Sequence, residues 1–223
     1  MEQMFKCVVF DVDGTLLDTS EGILSAVRYT VEKFGLEPLA EETIKSFIGP
    51  PIQNSFKAIY GFEDKIISEM AATFRDRYKG DDLLLAKPYD GIFEVFDYLN
   101  SAGIKPAVAT YKRQDYALRL LQHFHFDRYT DAMYGSDFEG RLKKKDIIEL
   151  ALKKAGVADY SQALMIGDSD NDAIGAAGIG ARFLGVTYGF GFKKKEDVYQ
   201  FDAIGAADTA REITDIISGT MLK

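Results

Sequence analysis

The sequence has few of the residues on which disulfide-bonded and histidine-dependent proteins rely. Its 223 residues include one cysteine, two histidines and no tryptophan. Because Cys7 stands alone within an apolar run, it cannot form an internal disulfide and is expected to be a buried, inert thiol in a reducing compartment. His123 and His125 flank Phe124, and this aromatic setting favours a packing role over a histidine-based catalytic triad.

Long apolar runs and an excess of basic residues are also missing. No stretch approaches the roughly 20 apolar residues of a membrane-spanning helix, and Met1 to Met4 lead directly into the first predicted strand, which leaves no room for a signal peptide. Lys and Arg number 27 against 35 Asp and Glu, a formal net charge of -8. We therefore expect a cytoplasmic protein, monomeric or homodimeric, with neither a membrane nor a nucleic-acid polymer as its partner.

The stretch from Val8 to Thr19 carries the strongest chemical signal. An apolar run ending at Phe10 predicts a parallel strand buried on both faces, and Asp11, Asp13 and Gly14 follow it directly. Two carboxylates this close repel each other unless a proton or a cation separates them. Mg²⁺ prefers such oxygen ligands, one carboxylate can attack phosphorus, and the other can transfer a proton.

Two kinds of pattern divide the chain. Helical periodicity dominates from about residue 20 to residue 80, whereas predicted strands and helices alternate after Pro88. The alternation predicts an α/β fold with a doubly wound parallel sheet. We interpret 18–86 as an α-helical cap inserted into a core made of 1–17 and 87–223.

Three later motifs place polar residues at strand or helix ends. A buried strand ends in the hydroxyl of Thr110, and Lys112 follows it with a positive charge. A lysine run, 143–145, begins a predicted helix, where the macrodipole disfavours cations, so that at least one lysine is expected to face an anion. A third strand ends at Gly167, and Asp168 and Asp172 come next.

In this order the motifs resemble those of the haloacid dehalogenase superfamily, in its phosphatase branch. The resemblance rests on Phe10 to Leu16, Ala107 to Thr110, the lysine run and Met165 to Asp172. The stretches Phe47 to Pro51 and Tyr188 to Gly191 are similar to those of the phosphoglycolate phosphatase and 5′-nucleotidase-like subgroup. Tyr111 departs from that pattern, because it stands where a small hydroxyl residue is expected.

The resemblance implies a Mg²⁺-dependent phosphatase that acts on a small phosphorylated metabolite. Asp11 would be the nucleophile that forms an aspartyl phosphate, and Asp13 would protonate the leaving alcohol and then activate water. Mg²⁺ would be held by Asp11, the backbone carbonyl of Asp13 and Asp168, with Asp172 in the outer shell. Phosphoglycolate and nucleoside 5′-monophosphates are the candidate substrates.

The resemblance also implies residues that hold the substrate. Thr110 and Lys144 would bind phosphate oxygens; Lys144 has the best-matching spacing, and Lys143 and Lys145 remain alternatives. Contacts to the rest of the substrate are expected from four residues: Gly49, Pro50, Arg75 and Lys112.

Three other functions remain open at this stage. A sugar-phosphate mutase of the same superfamily uses the same pair of acids but shields the intermediate from water. A phosphoaspartate switch domain would hold the phosphoryl group without turnover, although it would need neither the cap nor Asp13. A catalytically silent binding protein would have lost a motif residue, and none is missing.

Overall fold

The computed structural model describes residues 5–139 and 141–221, and the side chains of 220 and 221 are outside the description. The chain divides into two compact units. One unit is formed by the described parts of Met1–Asp18 and Pro88–Lys223, and the other is Thr19–Lys87. We refer to them as the core unit and the helical unit.

The core unit is built on a parallel sheet. Its six strands lie in the order β5-β4-β1-β6-β7-β8, and every neighbouring pair is parallel. The strands are β1 (Cys7–Phe10), β4 (Lys105–Arg113), β5 (Met133–Ser136), β6 (Ala163–Gly167), β7 (Arg182–Val186) and β8 (Ala203–Ala207). Two short strands, β2 (Leu17–Asp18) and β3 (Lys87–Pro88), pair in a separate sheet.

Helices cover both faces of the large sheet. They are α5 (Ile92–Ser101), α6 (Gln114–His123), α7 (Lys144–Lys154), α8 (Asp170–Ala177), α9 (Lys195–Val198) and α10 (Ala210–Met221). Along β1, Val9 belongs to an apolar cluster with Ile147 of α7, whereas the ring of Phe10 stacks on Phe96 of α5 at 4.8 Å. Successive side chains of a strand point to opposite faces, so β1 is buried on both sides. The predicted doubly wound α/β fold is confirmed.

The strand order determines where polar loops meet. β1 lies between β4 and β6, at the point where the chain changes direction across the sheet. In open α/β sheets, ligands bind in the crevice outside the carboxyl ends of the strands at this point. Asp11 and Asp168 directly follow β1 and β6, and Thr110 lies in the C-terminal half of β4, which continues to Arg113 rather than ending at Thr110 as predicted.

The helical unit contains four α-helices and a short 3-10 helix among its described residues. The α-helices are α1 (Ser20–Lys33), α2 (Glu41–Lys45), α3 (Ile52–Tyr60) and α4 (Asp64–Tyr78). Phe47 and Phe56 pack edge to face at 5.0 Å within its apolar interior. Asp82, which is buried, accepts a 2.8 Å hydrogen bond from Arg77 Nε. Among the described residues of both units, no helix is long and apolar enough to cross a membrane.

Candidate active site

The loop after β1 is a tight turn that presents Asp11 and Asp13. The carbonyl oxygen of Val12 accepts three backbone hydrogen bonds, from Thr15, Leu16 and Leu17. Gly14 has a φ of +80°, and a Cβ there would lie 2.2 Å from Asp168 Oδ2. This close approach explains the glycine, since any side chain would push Asp168 away from the turn.

Lys144 links two of the acids. Its Nζ lies 2.6 Å from Asp11 Oδ1 and 2.7 Å from Asp172 Oδ1. The three side chains are 4, 10 and 1 % exposed, respectively. The neighbouring Lys143 and Lys145 are exposed, so among the three candidate lysines it is Lys144 that meets the acids.

Asp168 is held by a loop after β7 to which the sequence analysis gave no role. Its Oδ2 accepts backbone hydrogen bonds from Phe190 at 2.6 Å and Gly191 at 2.9 Å. A Cβ at Gly189 would lie 2.2 Å from the carbonyl oxygen of Gly14. The glycine-aromatic-glycine run was the available signal, because it marks backbone that approaches another loop closely.

Asp172 uses both carboxylate oxygens within the protein. Oδ1 faces Lys144, and Oδ2 accepts hydrogen bonds from the backbone N–H of Ser169 at 3.1 Å and from its hydroxyl at 2.7 Å. These contacts favour a role in orienting Lys144 over direct metal ligation.

The acidic cluster fits a divalent cation. Carboxylate oxygens of Asp11, Asp168 and Asp172 all lie within 4.8 Å of one another, and all three side chains are buried around the single ammonium of Lys144. Burial, and then the neighbouring acids, raise the pKa of Asp11 to about 7 and that of Asp168 to about 6. An excess of buried negative charge is what a hard cation with oxygen ligands would relieve.

Asp13 lies at the edge of this cluster rather than within it. Lys112 Nζ is 3.1 Å from Asp13 Oδ1, and the two side chains are 8 % and 27 % exposed. Lys112, predicted to contact the substrate, is paired in the structure with the expected acid–base residue. The more open position of Asp13 suits a group that exchanges protons with bound molecules.

The C-terminal half of β4 contributes a hydroxyl and a phenol. Thr110 is buried, and its Oγ1 accepts a 3.2 Å hydrogen bond from the backbone N–H of Lys112. Tyr111, noted from sequence only as a departure, accepts a 2.9 Å hydrogen bond at its phenolic oxygen from the backbone N–H of Lys144.

The remaining candidate residues belong to the helical unit. Gly49 has a φ of +103° and lies with Pro50 between α2 and α3, and Arg75 lies on α4. All three are exposed.

The fold and the acidic site define a hydrolase-type α/β enzyme, and comparisons with known proteins identify its family. Residues 8–186 match the model of the haloacid dehalogenase-like hydrolases. A 5′-nucleotidase from Pseudomonas aeruginosa is 35% identical over 86% of this chain and 87% of its own length. For a phosphoglycolate phosphatase from Agrobacterium fabrum the identity is 30%, over 82% of this chain and 80% of the relative.

A solved structure agrees with these relatives. A haloacid dehalogenase-like family hydrolase from Streptococcus pneumoniae superposes with a TM-score of 0.84 at 30% identity, and the match covers 95% of this chain and 98% of that one. The chain belongs to the haloacid dehalogenase-like hydrolase family, and it is a phosphatase of that family.

Proposed function

We propose that the protein is a Mg²⁺-dependent phosphatase that hydrolyses a small phosphomonoester through an aspartyl phosphate on Asp11. The observation that carries this proposal is the buried group of three carboxylates around Lys144, at the carboxyl ends of β1 and β6. Such a group is costly to bury unless protons or a cation neutralise its excess negative charge.

In the first step, a carboxylate oxygen of Asp11 attacks phosphorus, and the bond from phosphorus to the ester oxygen breaks. Asp13 donates a proton to that oxygen, so that the leaving group departs as a neutral alcohol. In the second step, Asp13 takes a proton from a water molecule as the water attacks phosphorus. The bond between phosphorus and Asp11 then breaks, and inorganic phosphate leaves.

Lys144 and Thr110 are proposed to hold phosphate oxygens during both steps. Lys144 Nζ is already within 2.6 Å of Asp11, so it can place the phosphoryl group against the nucleophile. Asp11, Asp168 and the backbone carbonyl of Asp13 would hold Mg²⁺, and Asp172 would act from the outer shell. When bound, the ion would offset the charge that gathers on the phosphoryl oxygens.

The proposed substrates are nucleoside 5′-monophosphates and phosphoglycolate. The 5′-nucleotidase and the phosphoglycolate phosphatase among the relatives support these two classes. Gly49, Pro50 and Arg75 are proposed contacts for the leaving group, together with Lys112. We also propose a cytoplasmic location, which the single cysteine supports, because Cys7 has no second cysteine in the chain with which to form a disulfide.

The test is steady-state phosphate release by the purified full chain from p-nitrophenyl phosphate, phosphoglycolate and nucleoside 5′-monophosphates. We expect turnover with added Mg²⁺ and none in excess chelator. Asp11→Asn should lower turnover by about 1,000-fold or more, whereas Asp215→Asn, an exposed aspartate of α10, should not change it.

The proposal fails if Asp11→Asn retains full activity or if chelator has no effect. The same assay separates the alternative functions. A mutase would interconvert phosphorylated isomers with little phosphate release, and a phosphoaspartate switch would stop after about one equivalent of phosphoryl transfer.

A further inference from the structure

Tyr111 makes a contact that connects two motifs far apart in the sequence. It lies on β4, one residue after Thr110, and its phenolic oxygen accepts the backbone N–H of Lys144 at 2.9 Å. The ring centroid is 5.6 Å from Lys144 Nζ. The same tyrosine therefore contacts both the backbone and the ammonium group of the lysine.

The hydrogen bond gives an acceptor to an N–H group at the beginning of the helix that carries Lys144. Lys144 is the first residue of α7, and the first N–H groups of a helix have no acceptor within it. The preceding N–H group, that of Lys143, has an acceptor within the same helix, because it donates to the carboxylate of Asp146. A small hydroxyl at position 111 would end several ångströms short of α7, whereas the phenol spans the gap.

The ring also faces a cation that has to remain in place. Lys144 Nζ stands between Asp11 and Asp172, and it lies over the ring of Tyr111. An ammonium over an aromatic face is attracted by the ring's negative charge density. Both contacts restrict the same side chain, one from its backbone and one from its tip.

We propose that Tyr111 is a positioning residue that holds the ammonium group of Lys144 next to Asp11. A small hydroxyl at position 111 would be too short to make these contacts with Lys144. The inference rests on the proposed function, because it assigns Lys144 to the transferred phosphoryl group. Since that group is common to all substrates, the effect of Tyr111 does not depend on the leaving group.

The test compares Tyr111→Phe with wild type on p-nitrophenyl phosphate, phosphoglycolate and a nucleoside 5′-monophosphate, together with inhibition by inorganic phosphate. The substitution removes the acceptor but keeps the ring. Turnover should fall about 3- to 10-fold by the same factor on every substrate, as expected for one lost hydrogen bond, and the inhibition constant for inorganic phosphate should rise. Tyr199→Phe, at a tyrosine that is 58% exposed, is the matched control and should be unchanged.

Thermal unfolding of each variant distinguishes positioning from a purely structural role. Because Tyr111 is 45% exposed, we expect Tyr111→Phe to stay folded at the assay temperature. The inference is overturned if the variant matches wild type on all substrates, if the loss depends on the leaving group with phosphate inhibition unchanged, or if it follows from unfolding. A wild type that releases no phosphate from any substrate would instead overturn the proposed function, and this inference with it.

Discussion

The two units bury charge in different ways. In the core unit, Asp11, Asp168 and Asp172 are buried around the single ammonium of Lys144. In the described helical unit the buried charged residue is Asp82, whose side chain is 2% exposed and pairs with one arginine, Arg77. One cluster carries an excess of negative charge, and the other is balanced.

The difference indicates which buried charges are structural. In a balanced pair such as Arg77 with Asp82, the two charges neutralise each other, so no ion from solution is required. An unbalanced cluster destabilises the fold unless protons or cations join it. The excess negative charge in the core unit therefore favours the binding of a cation there, whereas the helical unit gives no such signal.

Removing the single cation should have the largest effect. Lys144→Met leaves Asp11 and Asp172 buried without their partner, so turnover should fall about 100-fold or more. The free energy of unfolding at pH 7.5 without Mg²⁺ should fall by about 2–4 kcal/mol. Phosphate-release assays and urea unfolding measure the two effects, and Lys145→Met, at an exposed lysine, is the control. If the Lys144→Met variant is as active and as stable as wild type, neither turnover nor stability depends on the ammonium group within the core cluster.

Magnesium should stabilise the core cluster in a pH-dependent way. Because burial raises the pKa of Asp11 to about 7 and of Asp168 to about 6, the metal-free fold binds more protons than the unfolded chain near pH 6. Its stability should therefore fall as pH rises from about 5 to 7.5. Saturating Mg²⁺ should raise the unfolding temperature by about 5 °C at pH 7.5 and by less at pH 5.

Asp168→Asn separates specific binding from a general salt effect in that experiment. The variant should lose most of the Mg²⁺-dependent rise in unfolding temperature, measured by circular dichroism or scanning calorimetry. A rise of equal size in both proteins would show that the ion acts elsewhere.

Breaking the balanced pair should affect stability alone. Arg77→Met removes the partner of Asp82 and a contact with the ring of Tyr29, whose centroid lies 5.2 Å away. Since Arg77 is 46% exposed, water can replace part of the interaction, and we expect a loss of about 1–2 kcal/mol. Urea unfolding measures it, with Mg²⁺-dependent stabilisation unchanged. A lost Mg²⁺ response would contradict the structural role.

The smallest effect is expected where charges are exposed. Arg28 and Glu41 form a 3.2 Å ion pair with side chains 53% and 68% exposed. Because such pairs are screened and cost side-chain entropy, Arg28→Ala should change the free energy of unfolding by less than about 0.5 kcal/mol. A change as large as that of Arg77→Met would show that burial is not what separates these pairs.

Much of the core unit followed from local patterns. The apolar run ending at Phe10 and the acids after it predicted a buried strand with chemistry at its end, and β1 and Asp11 agree. Alternating strands and helices were sufficient for the doubly wound sheet, because hydrophobic periodicity is a local property. Helical periodicity over about residues 20 to 80 likewise predicted helices there, and α1 to α4 lie in that range.

Contacts between segments far apart in the chain could not be predicted from local sequence patterns. The run 189–191 marks a close backbone approach, but no local pattern indicates that it meets Asp168, or that Lys112 pairs with Asp13. In the sequence, Tyr111 only replaces an expected small hydroxyl residue, yet in the structure its phenolic oxygen accepts the backbone N–H of Lys144. Each of these contacts joins segments that lie on or follow different strands, and the strand order β5-β4-β1-β6-β7 brings those segments to one edge of the sheet.

The sequence alone determined the class of fold, the acidic residues and the chemistry they suit, because strand burial and carboxylate spacing depend on neighbours along the chain. Only the tertiary structure decided that Lys144, among three adjacent lysines, reaches Asp11 and Asp172. That choice depends on the direction in which α7 begins above the sheet, and this direction is set by packing mainly against β4 and α8 rather than by the lysines themselves.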